Sequence, residues 1–499
     1  MNKRQILFSA IILIITATFF RFWRISETAP FLGDQGRDLI EIRHSLLAKK
    51  LPLVGPLSNQ EIHAGPIYYY LIIPPLLLFR WQPIGPILFF TLFGVISVFL
   101  LWILGNFLFG PLVGFLISLL YAFSSFIIEQ TKGFWNPIPI PMFTLGSILS
   151  AWLILEKKIF WFFLILGLSL SVAIQLYPPA YFLFLIFIFW WIFSFKQMPK
   201  ENHKNFIFWS FMGLIVFIIL FFPFLLFQFQ NDFIDIKNII LLILEKFLIS
   251  NPRSTAPYSP IILFINFLSQ TFQSVTAIIN FKLNIILGIL ILLLPILAPK
   301  KYRFFWPKFF SIWLIGGLLL ASFYPSPVHP HYLSFLWPIP FLLFGFLLKF
   351  LKNYFPLPII FLIEGILIFN QLRTFLTNFN PKNDLGKAEI ISQTIIKEAE
   401  NLPLALTYYS PKSPSDGHIR YLLLIKDAKV KSFDDPEVRR YFLVCEPFCL
   451  KPPTTNIFDS ECLPKCPSLG QERKIDFTSW AFLKRVELEW ASIYIWQAK

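Results

Sequence analysis

The 499 residues are 56% hydrophobic and only 14% charged, whereas soluble domains carry about 25% charged residues. Sixty-two Phe, 15 Trp and 16 Tyr cannot all be buried in cores of ordinary size with so few charges to solvate the outside, and the same figures exclude disorder, collagen and coiled coil. The net charge of +15 is no nucleic-acid signature, because residues 1–375 hold 26 of the 43 Lys+Arg and 12 of the 28 Asp+Glu, which puts the excess in the apolar part, where basic residues set topology.

What remains is a mainly α, polytopic membrane protein. Apolar runs near 6–20, 84–104, 111–128, 138–155, 160–176, 180–195, 206–227, 284–298, 309–323, 333–351 and 356–372 predict about 11 transmembrane helices, with 13 as the upper count. The first run follows Lys3 and Arg4 and ends at Phe19-Phe20-Arg21 with no small-residue cleavage site, so it reads as a retained anchor. With the N-terminus cytoplasmic, the inner segments collect thirteen basic residues, from Lys3 and Arg4 to Lys349 and Lys352. The short outer loops near 129–136, 175–180 and 324–331 then collect only Lys132. That asymmetry predicts a multi-pass protein of the cell membrane with its C-terminal tail outside.

Residues 1–375 form the membrane module in this reading, with a long first outer loop at 21–66 and a second at 228–283. Residues 376–499 form a soluble extracytoplasmic domain, where a helical pattern at 387–400 and strand-like runs at 402–408, 441–445 and 491–496 predict a small α/β fold.

In the first outer loop, Gly33-Asp34-Gln35-Gly36-Arg37-Asp38 places Asp34, Arg37 and Asp38 on one face if a helix begins at the Gly/Asp turn. A carboxylate near a helix N-terminus is favoured in its ionised form, and at a bilayer surface it can take a proton from a hydroxyl. A neighbouring guanidinium can hold phosphate oxygens in a fork. The plain alternative is a solvated charge cluster at a helix start. Further on, Glu61-Ile62-His63-Ala64-Gly65-Pro66 leads into an aromatic segment with Tyr68, Tyr69 and Tyr70 that ends at Pro74-Pro75, too short to span and suited to the interface. Glu61 and His63 are candidate ligands of a divalent metal ion, against the commoner case of a hydrogen-bonded loop histidine.

After the third span, Glu129, Lys132 and Asn136 emerge together, and Lys132 runs against the topological trend, which suggests an anionic ligand; a snorkelling lysine is the alternative. Gln175 lies at the next outer end and His331-Tyr332 at a later one. Cys445, Cys449, Cys462 and Cys466, all in the tail, predict structural disulfides of an oxidising compartment, with a four-thiolate zinc site as the rival. P-loop, GxSxG, HExxH and dinucleotide fingerprints are absent from the sequence.

Four segments carry a family resemblance: Gly33-Asp34-Gln35-Gly36-Arg37-Asp38, Leu51-Pro52-Leu53-Val54-Gly55-Pro56, Gly65-Pro66-Ile67-Tyr68-Tyr69-Tyr70 and Trp135-Asn136-Pro137. Together with the layout of loops and spans, they resemble the bacterial and archaeal branch of the GT-C superfamily of membrane glycosyltransferases, related to the protein O-mannosyltransferases of glycosyltransferase family 39 and to the lipid A aminoarabinose transferases. The likeness is good over residues 1–200 and weaker beyond.

The resemblance implies inverting transfer of a sugar, a hexose such as mannose or a pentose, from a polyprenyl phosphate to an acceptor hydroxyl on the outer face. It places the catalytic aspartate at Asp34. Gln35, Arg37, Asp38, His63, Tyr69, Glu129, Lys132, Asn136, Gln175, His331 and Tyr332 are the residues expected to bind phosphate or sugar. Two departures stand out. Gln35 replaces a glutamate that many relatives carry, and Asn136 replaces a second aspartate. The alternatives are a transporter or flippase of polyprenyl-linked saccharides, which predicts charges lining a path at mid-depth, where Glu364 is the only acidic residue inside a spanning run, and a membrane scaffold acting through its tail.

Overall fold

Residues 3–58, 61–248, 259–297, 305–324, 328–410, 415–433, 435–446 and 479–499 are described in a computed structural model. The chain divides into two units. Met1–Trp23, Leu53–Ile72 and Pro86–Asn380 make the first; Arg24–Pro52, Ile73–Gly85 and Pro381–Lys499 make the second.

In chain order the helices are α1 (Lys3–Phe22), α2 (Ile25–Thr28), α3 (Gly33–Leu47), α4 (Ile67–Leu78), α5 (Ile84–Phe109), α6 (Pro111–Phe123) and α7 (Ser125–Gln130). They continue with α8 (Ile140–Lys157), α9 (Phe162–Leu176), α10 (Phe182–Gln197), α11 (His203–Gln230), α12 (Ile234–Leu248), α13 (Pro260–Thr276) and α14 (Phe281–Leu297). Then come α15 (Phe305–Ser322), α16 (Ile339–Leu351), α17 (Leu357–Thr377), α18 (Asp384–Ala399) and α19 (Gly417–Leu424). The strands are β1 (Leu404–Tyr409), β2 (Arg440–Cys445), β3 (Trp480–Glu487) and β4 (Ser492–Ala498).

The first unit is a polytopic membrane bundle. Among the described residues seven helices are long and apolar enough to cross a membrane, and up to nine if each of two bent pairs is one span. The pairs are α13 with α14, bent by 89°, and the turn Pro330–Leu336 with α16, bent by 50°. Each predicted apolar run lies on a helix, yet α6 and α9 have only 13 and 15 residues, short of the roughly 20 that a straight span needs. The count from sequence also kept α13 in an outer loop. Its bend has a local cause: Ala277, at φ 52°, ends α13 in the left-handed conformation. Asn284 then accepts from Thr276 Oγ1 at 2.8 Å and donates to Ile278 O at 2.7 Å, which satisfies polar groups at the break.

Inside a bilayer, helices associate through close packing and polar locks rather than hydrophobic burial. Both devices are present. A Cβ on Gly167 would lie 2.1 Å from Gly213 O, so α9 and α11 touch backbone to backbone. Gln371 of α17 is fully buried. Its Oε1 accepts from Ser125 N at 2.9 Å, and its Nε2 donates to Ser274 O and Val275 O at 2.9 and 3.0 Å, which ties α7, α13 and α17 together.

The second unit carries a four-stranded sheet in the order β1-β2-β4-β3. β1 and β2 run parallel, joined through α19, while β4 runs antiparallel to both β2 and β3. Period-2 alternation sorts the strands into two faces. Leu404, Leu406, Phe442, Val444, Ile493 and Ile495 pack with Ile391 and Ile395 of α18 and Ile419 and Leu423 of α19. Ala405, Tyr441, Leu443, Tyr494 and Trp496 fill the other face. The predicted helix and the runs at 402–408, 441–445 and 491–496 thus fall on α18, β1, β2 and β4. β3 and α19 were not anticipated: β3 exposes Phe482 and Leu483 at 55% and 43%, so its alternation is blurred.

One buried ion pair holds α19 to the sheet. Arg420 Nη2 and Nε reach Asp416 Oδ2 at 2.8 and 3.1 Å, and Nη2 also donates to Leu406 O of β1 at 3.1 Å. The two side chains are 2% and 0% exposed. Removing one partner of such a pair leaves a buried charge and costs about 3–5 kcal/mol. Asp416→Ala should therefore lower the melting transition of the second unit by that amount, and adding Arg420→Leu should recover most of it. A single variant within about 1 kcal/mol of wild type would refute this account of α19.

Candidate functional site

The helix expected at the Gly/Asp turn is α3, and it begins at Gly33. Its N-cap is Leu32, which has no capping side chain, so Gln35 supplies one: Leu32 N donates to Gln35 Oε1 at 2.9 Å. Gln35 is fully buried, and an N-terminal lock of this kind accounts for a carboxamide at this position. Asp34 points outward, with its side chain 71% exposed. Arg37 links both acidic neighbours, donating from Nη1 to Asp34 Oδ1 at 3.1 Å and from Nη2 and Nε to Asp38 Oδ1 at 2.9 and 3.1 Å. Asp38 is 4% exposed. The three residues expected on one face are thus together, with one carboxylate buried and one presented. An exposed pair adds little stability; its effect is to orient the Asp34 carboxylate.

Within the second unit this helix start packs on the Ser415–His418 turn. The His418 ring lies 6.3 Å from Phe31 and 5.2 Å from Tyr408, edge to face with both. Burial pushes the His418 imidazole down to about 4, with Asp416 opposing, so it is a neutral packing group.

In the first unit, Gly55 N donates to Ala64 O at 2.8 Å and Ala64 N to Pro56 O at 3.0 Å, pairing the two Gly-Pro turns. Gly65 N donates to Gln175 O at 2.7 Å, and a Cβ on Gly65 would meet Gln175 Cβ at 2.5 Å, so that position has no room for a side chain. His63 meets a partner that sequence reading had left in the second outer loop. Its backbone N and its Nδ1 both lie 2.9 Å from Asp235 Oδ1. Gln228 Nε2 donates to the other carboxylate oxygen, and Asp235 N returns a bond to Gln228 Oε1 at 3.3 Å. Asn238 Nδ2 also donates to Glu61 O at 2.7 Å. The loop is therefore fastened to α12 by side chains 172 and 177 residues away in sequence, with Gln228 of α11 bracing Asp235. Among the described residues no group of three His, Cys, Asp or Glu is disposed to hold a metal ion. Glu61 and His63 face no third ligand in such a group.

Lys132 is 7% exposed. Its ammonium donates to Trp23 O at 3.4 Å and lies 5.8 Å from the Phe375 ring centre. Burial, and then the charge of Arg21, bring its pKa down to about 8, while Glu129 acts in the opposite direction. Glu129 itself is exposed on α7. Asn136 Nδ2 donates to Leu176 O at 2.8 Å, which ties its loop to the end of α9. Gln175 Nε2 donates to Ser171 O, Ser171 Oγ and Leu220 O at 3.2, 3.1 and 3.0 Å. Tyr69 is 4% exposed beside Tyr68, whose hydroxyl donates to Phe134 O at 3.3 Å.

His331 and Tyr332 join an aromatic cluster drawn from three loops. His331 lies 5.3 Å from Trp135 and 5.9 Å from Tyr177, and Tyr332 lies 5.3 Å from Tyr177 and 5.8 Å from Tyr324. Sequence reading missed Trp135, Tyr177 and Tyr324 as members of one group. It also missed Asp235, whose signal was its being an acidic residue in the first turn of a helix.

Cys445 is fully buried at the end of β2. Cys449, Cys462 and Cys466 lie outside the described residues.

No protein-family model matches the chain, and no curated protein matches it by sequence. Solved structures do. The ArnT of Cupriavidus metallidurans bound to undecaprenyl phosphate superposes with a TM-score of 0.62 at 10% identity, covering 99% of this chain and 98% of that one. The same protein in the apo state gives 0.56 at 11% identity, with 97% of each chain covered. The Archaeoglobus fulgidus oligosaccharyltransferase, in complex with Zn and sulfate, gives 0.55 at 12% identity, covering 88% of this chain and 68% of that one. Both neighbours are GT-C superfamily members. At 10–12% identity these likenesses show the fold, a polytopic architecture of the kind the resemblance implied, over nearly the whole chain.

The Asp235 cluster has a pH signature. Burial raises this carboxyl's pKa, but the bonds from His63 and Gln228 outweigh it and hold the group below the usual aspartate value. A depressed carboxylate adds stability above its unfolded pKa of about 3.9 and loses it as pH falls through the folded value. Asp235→Asn should therefore melt below wild type at pH 7, and the gap should close below about pH 4. A gap that is the same at both pH values would contradict this role.

Proposed function

We propose that the chain is a membrane glycosyltransferase that takes its sugar from a polyprenyl phosphate. The single observation that carries this reading is the Asp34 carboxylate, exposed at the start of α3 and braced by Arg37, in a chain whose fold matches GT-C enzymes end to end. One of those neighbours is bound to undecaprenyl phosphate, which supports the same class of lipid carrier here.

In the proposed reaction an acceptor hydroxyl attacks the anomeric carbon from the face opposite the lipid phosphate, which inverts the centre. Asp34 takes the hydroxyl proton as the new C–O bond forms. The old bond breaks with its electron pair on the phosphate oxygen, and the leaving phosphate monoester gains charge that a guanidinium such as Arg37 stabilises through bidentate contact. Because the donor is pre-activated, no nucleotide is consumed in this step. Asp38 is buried under Arg37, and its role is to hold that guanidinium in place. The positive-inside asymmetry supports a cytoplasmic N-terminus with the 376–499 domain outside, where Cys445, Cys449, Cys462 and Cys466 would form disulfides.

The other sequence-assigned residues divide by what they touch. Gln35, His63, Asn136 and Gln175 spend their polar groups on backbone or on Asp235, and their proposed role is to shape the loops. Lys132 donates to Trp23 O, Tyr69 is buried beside Tyr68, and Tyr332 is hydrogen-bonded to Tyr177; Glu129 and His331 are the residues proposed to meet sugar hydroxyls.

Purified protein in nanodiscs, offered defined polyprenyl-phosphate sugars and assayed for polyprenyl phosphate release, tests the reading. Asp34→Asn should lower turnover at least about 100-fold with no loss of folding; full activity in that variant removes Asp34 from the mechanism. Since His63 is engaged with Asp235, transfer is also expected to survive EDTA. Loss of transfer that a divalent cation restores would return Glu61 and His63 to the role of metal ligands.

A further inference from the structure

Glycine is costly in a helix, because it gives up more backbone freedom than any other residue and offers no side chain to pack. Yet α3 has glycine at two positions of its first turn, Gly33 and Gly36, on either side of Asp34. Both face the second unit's own C-terminal segment. A Cβ on Gly36 would lie 2.1 Å from Gly417 C and 2.2 Å from His418 N, and one on Gly417 would lie 2.3 Å from Gly33 O and 2.8 Å from Arg37 N. These obstacles are backbone atoms, which cannot swing aside as a side-chain tip can. The turn that carries Asp34 is therefore in direct backbone contact with the start of α19.

Further ties make this contact specific. Asn383 N donates to Glu27 O at 2.8 Å, and Phe31 N donates to the Asp384 carboxylate. Tyr421 Oη, one turn along α19 from Gly417, donates to Trp81 O at 2.6 Å. α19 is in turn fixed to β1 by the buried Asp416–Arg420 pair. A loop that a solvated charge cluster would leave loose is instead attached to a sheet core.

We infer that α19 of the C-terminal segment is the positioning element for the Asp34 carboxylate, acting through the backbone packing of Gly36 on Gly417. The inference rests on the transferase reading for what Asp34 does, and on geometry alone for what holds it. Misplacing a catalytic group by about 1 Å is enough to cost on the order of 100-fold in rate, so a methyl group at this contact is felt in turnover before it is felt in donor binding. By helix propensity alone the same two changes would be favourable.

The test uses the full-length protein in nanodiscs as wild type, Gly36→Ala, Gly417→Ala and Val444→Ala. The last weakens the sheet core without touching α3. Amide hydrogen exchange is read over residues 33–47, and kcat and KM are measured with polyprenyl-phosphate sugars. Gly417→Ala should raise exchange in 33–47 at least about 10-fold and lower kcat at least about 100-fold, with KM within about threefold of wild type. Val444→Ala should lower the melting temperature while costing far less kcat per folded molecule than Gly417→Ala. Should a glycine variant fail to fold, His418→Ala, which removes the ring packed on Phe31, should show the same exchange increase in smaller degree. Wild-type exchange over 33–47 in a folded Gly417→Ala or His418→Ala protein overturns the inference, as does a kcat loss no larger than that of Val444→Ala. If exchange rises as stated but the wild type transfers no sugar from any donor, the transferase reading fails and the positioning contact stands.

Discussion

The contact between the first turn of α3 and the start of α19 is the constraint on which the proposed site depends. Asp34 is exposed, and its ion pair with Arg37 orients the carboxylate but adds little stability, so the pair does not by itself fix the turn that carries it. The position of that turn comes from close approach: Gly36 meets the Gly417 and His418 backbone, Gly417 meets Gly33 O and Arg37 N, and Gly33 packs on Ser415. The buried Asp416–Arg420 pair then passes that position on to the strands. A domain that reads as an appendage in the sequence is, within its own unit, the support of a helix almost 400 residues earlier.

The membrane unit solves a different problem with related means. Lipid offers no hydrophobic gain for helix association, so contacts form where backbones can approach or where carboxamides can bridge. Gly167 against Gly213 is the first kind, and Gln371, Asn284 and Gln175 are the second. Short helices and sharp bends follow where such groups satisfy the broken backbone, as at Ala277. Polar residues that attract a functional reading in an apolar sequence therefore need to be checked first for a structural bond. In Asn136, Gln175 and Lys132 that bond is present.

How much was legible follows from the range of the signals. Apolar runs and the 387–400 pattern are local, and they gave the helices and most of the strands. The Gly/Asp turn at Gly33-Asp34 is local too, and the spacing from it put Asp34, Arg37 and Asp38 on the shared face where they are found. The pairing of His63 with Asp235 spans 172 residues and has no motif, so it could not be read. The same holds for the meeting of Trp135, Tyr177 and His331, and for Gly36 with Gly417. Glycines at 33 and 36 did carry a hint, since a helix that accepts their cost must gain a close approach; the partner was invisible. Span counting failed to settle for the opposite reason. Hydropathy marks apolar length, and this chain breaks that length with bends that composition does not encode.

A structure of the full-length protein in nanodiscs, with a non-hydrolysable polyprenyl-phosphonate sugar bound, would test the central claim most directly. The account predicts the Asp34 carboxylate within about 3 Å of a hydroxyl or water placed for attack on the anomeric carbon, opposite the phosphonate. A sugar bound with Asp34 more than about 10 Å from that carbon, and another carboxylate in its place, would contradict it.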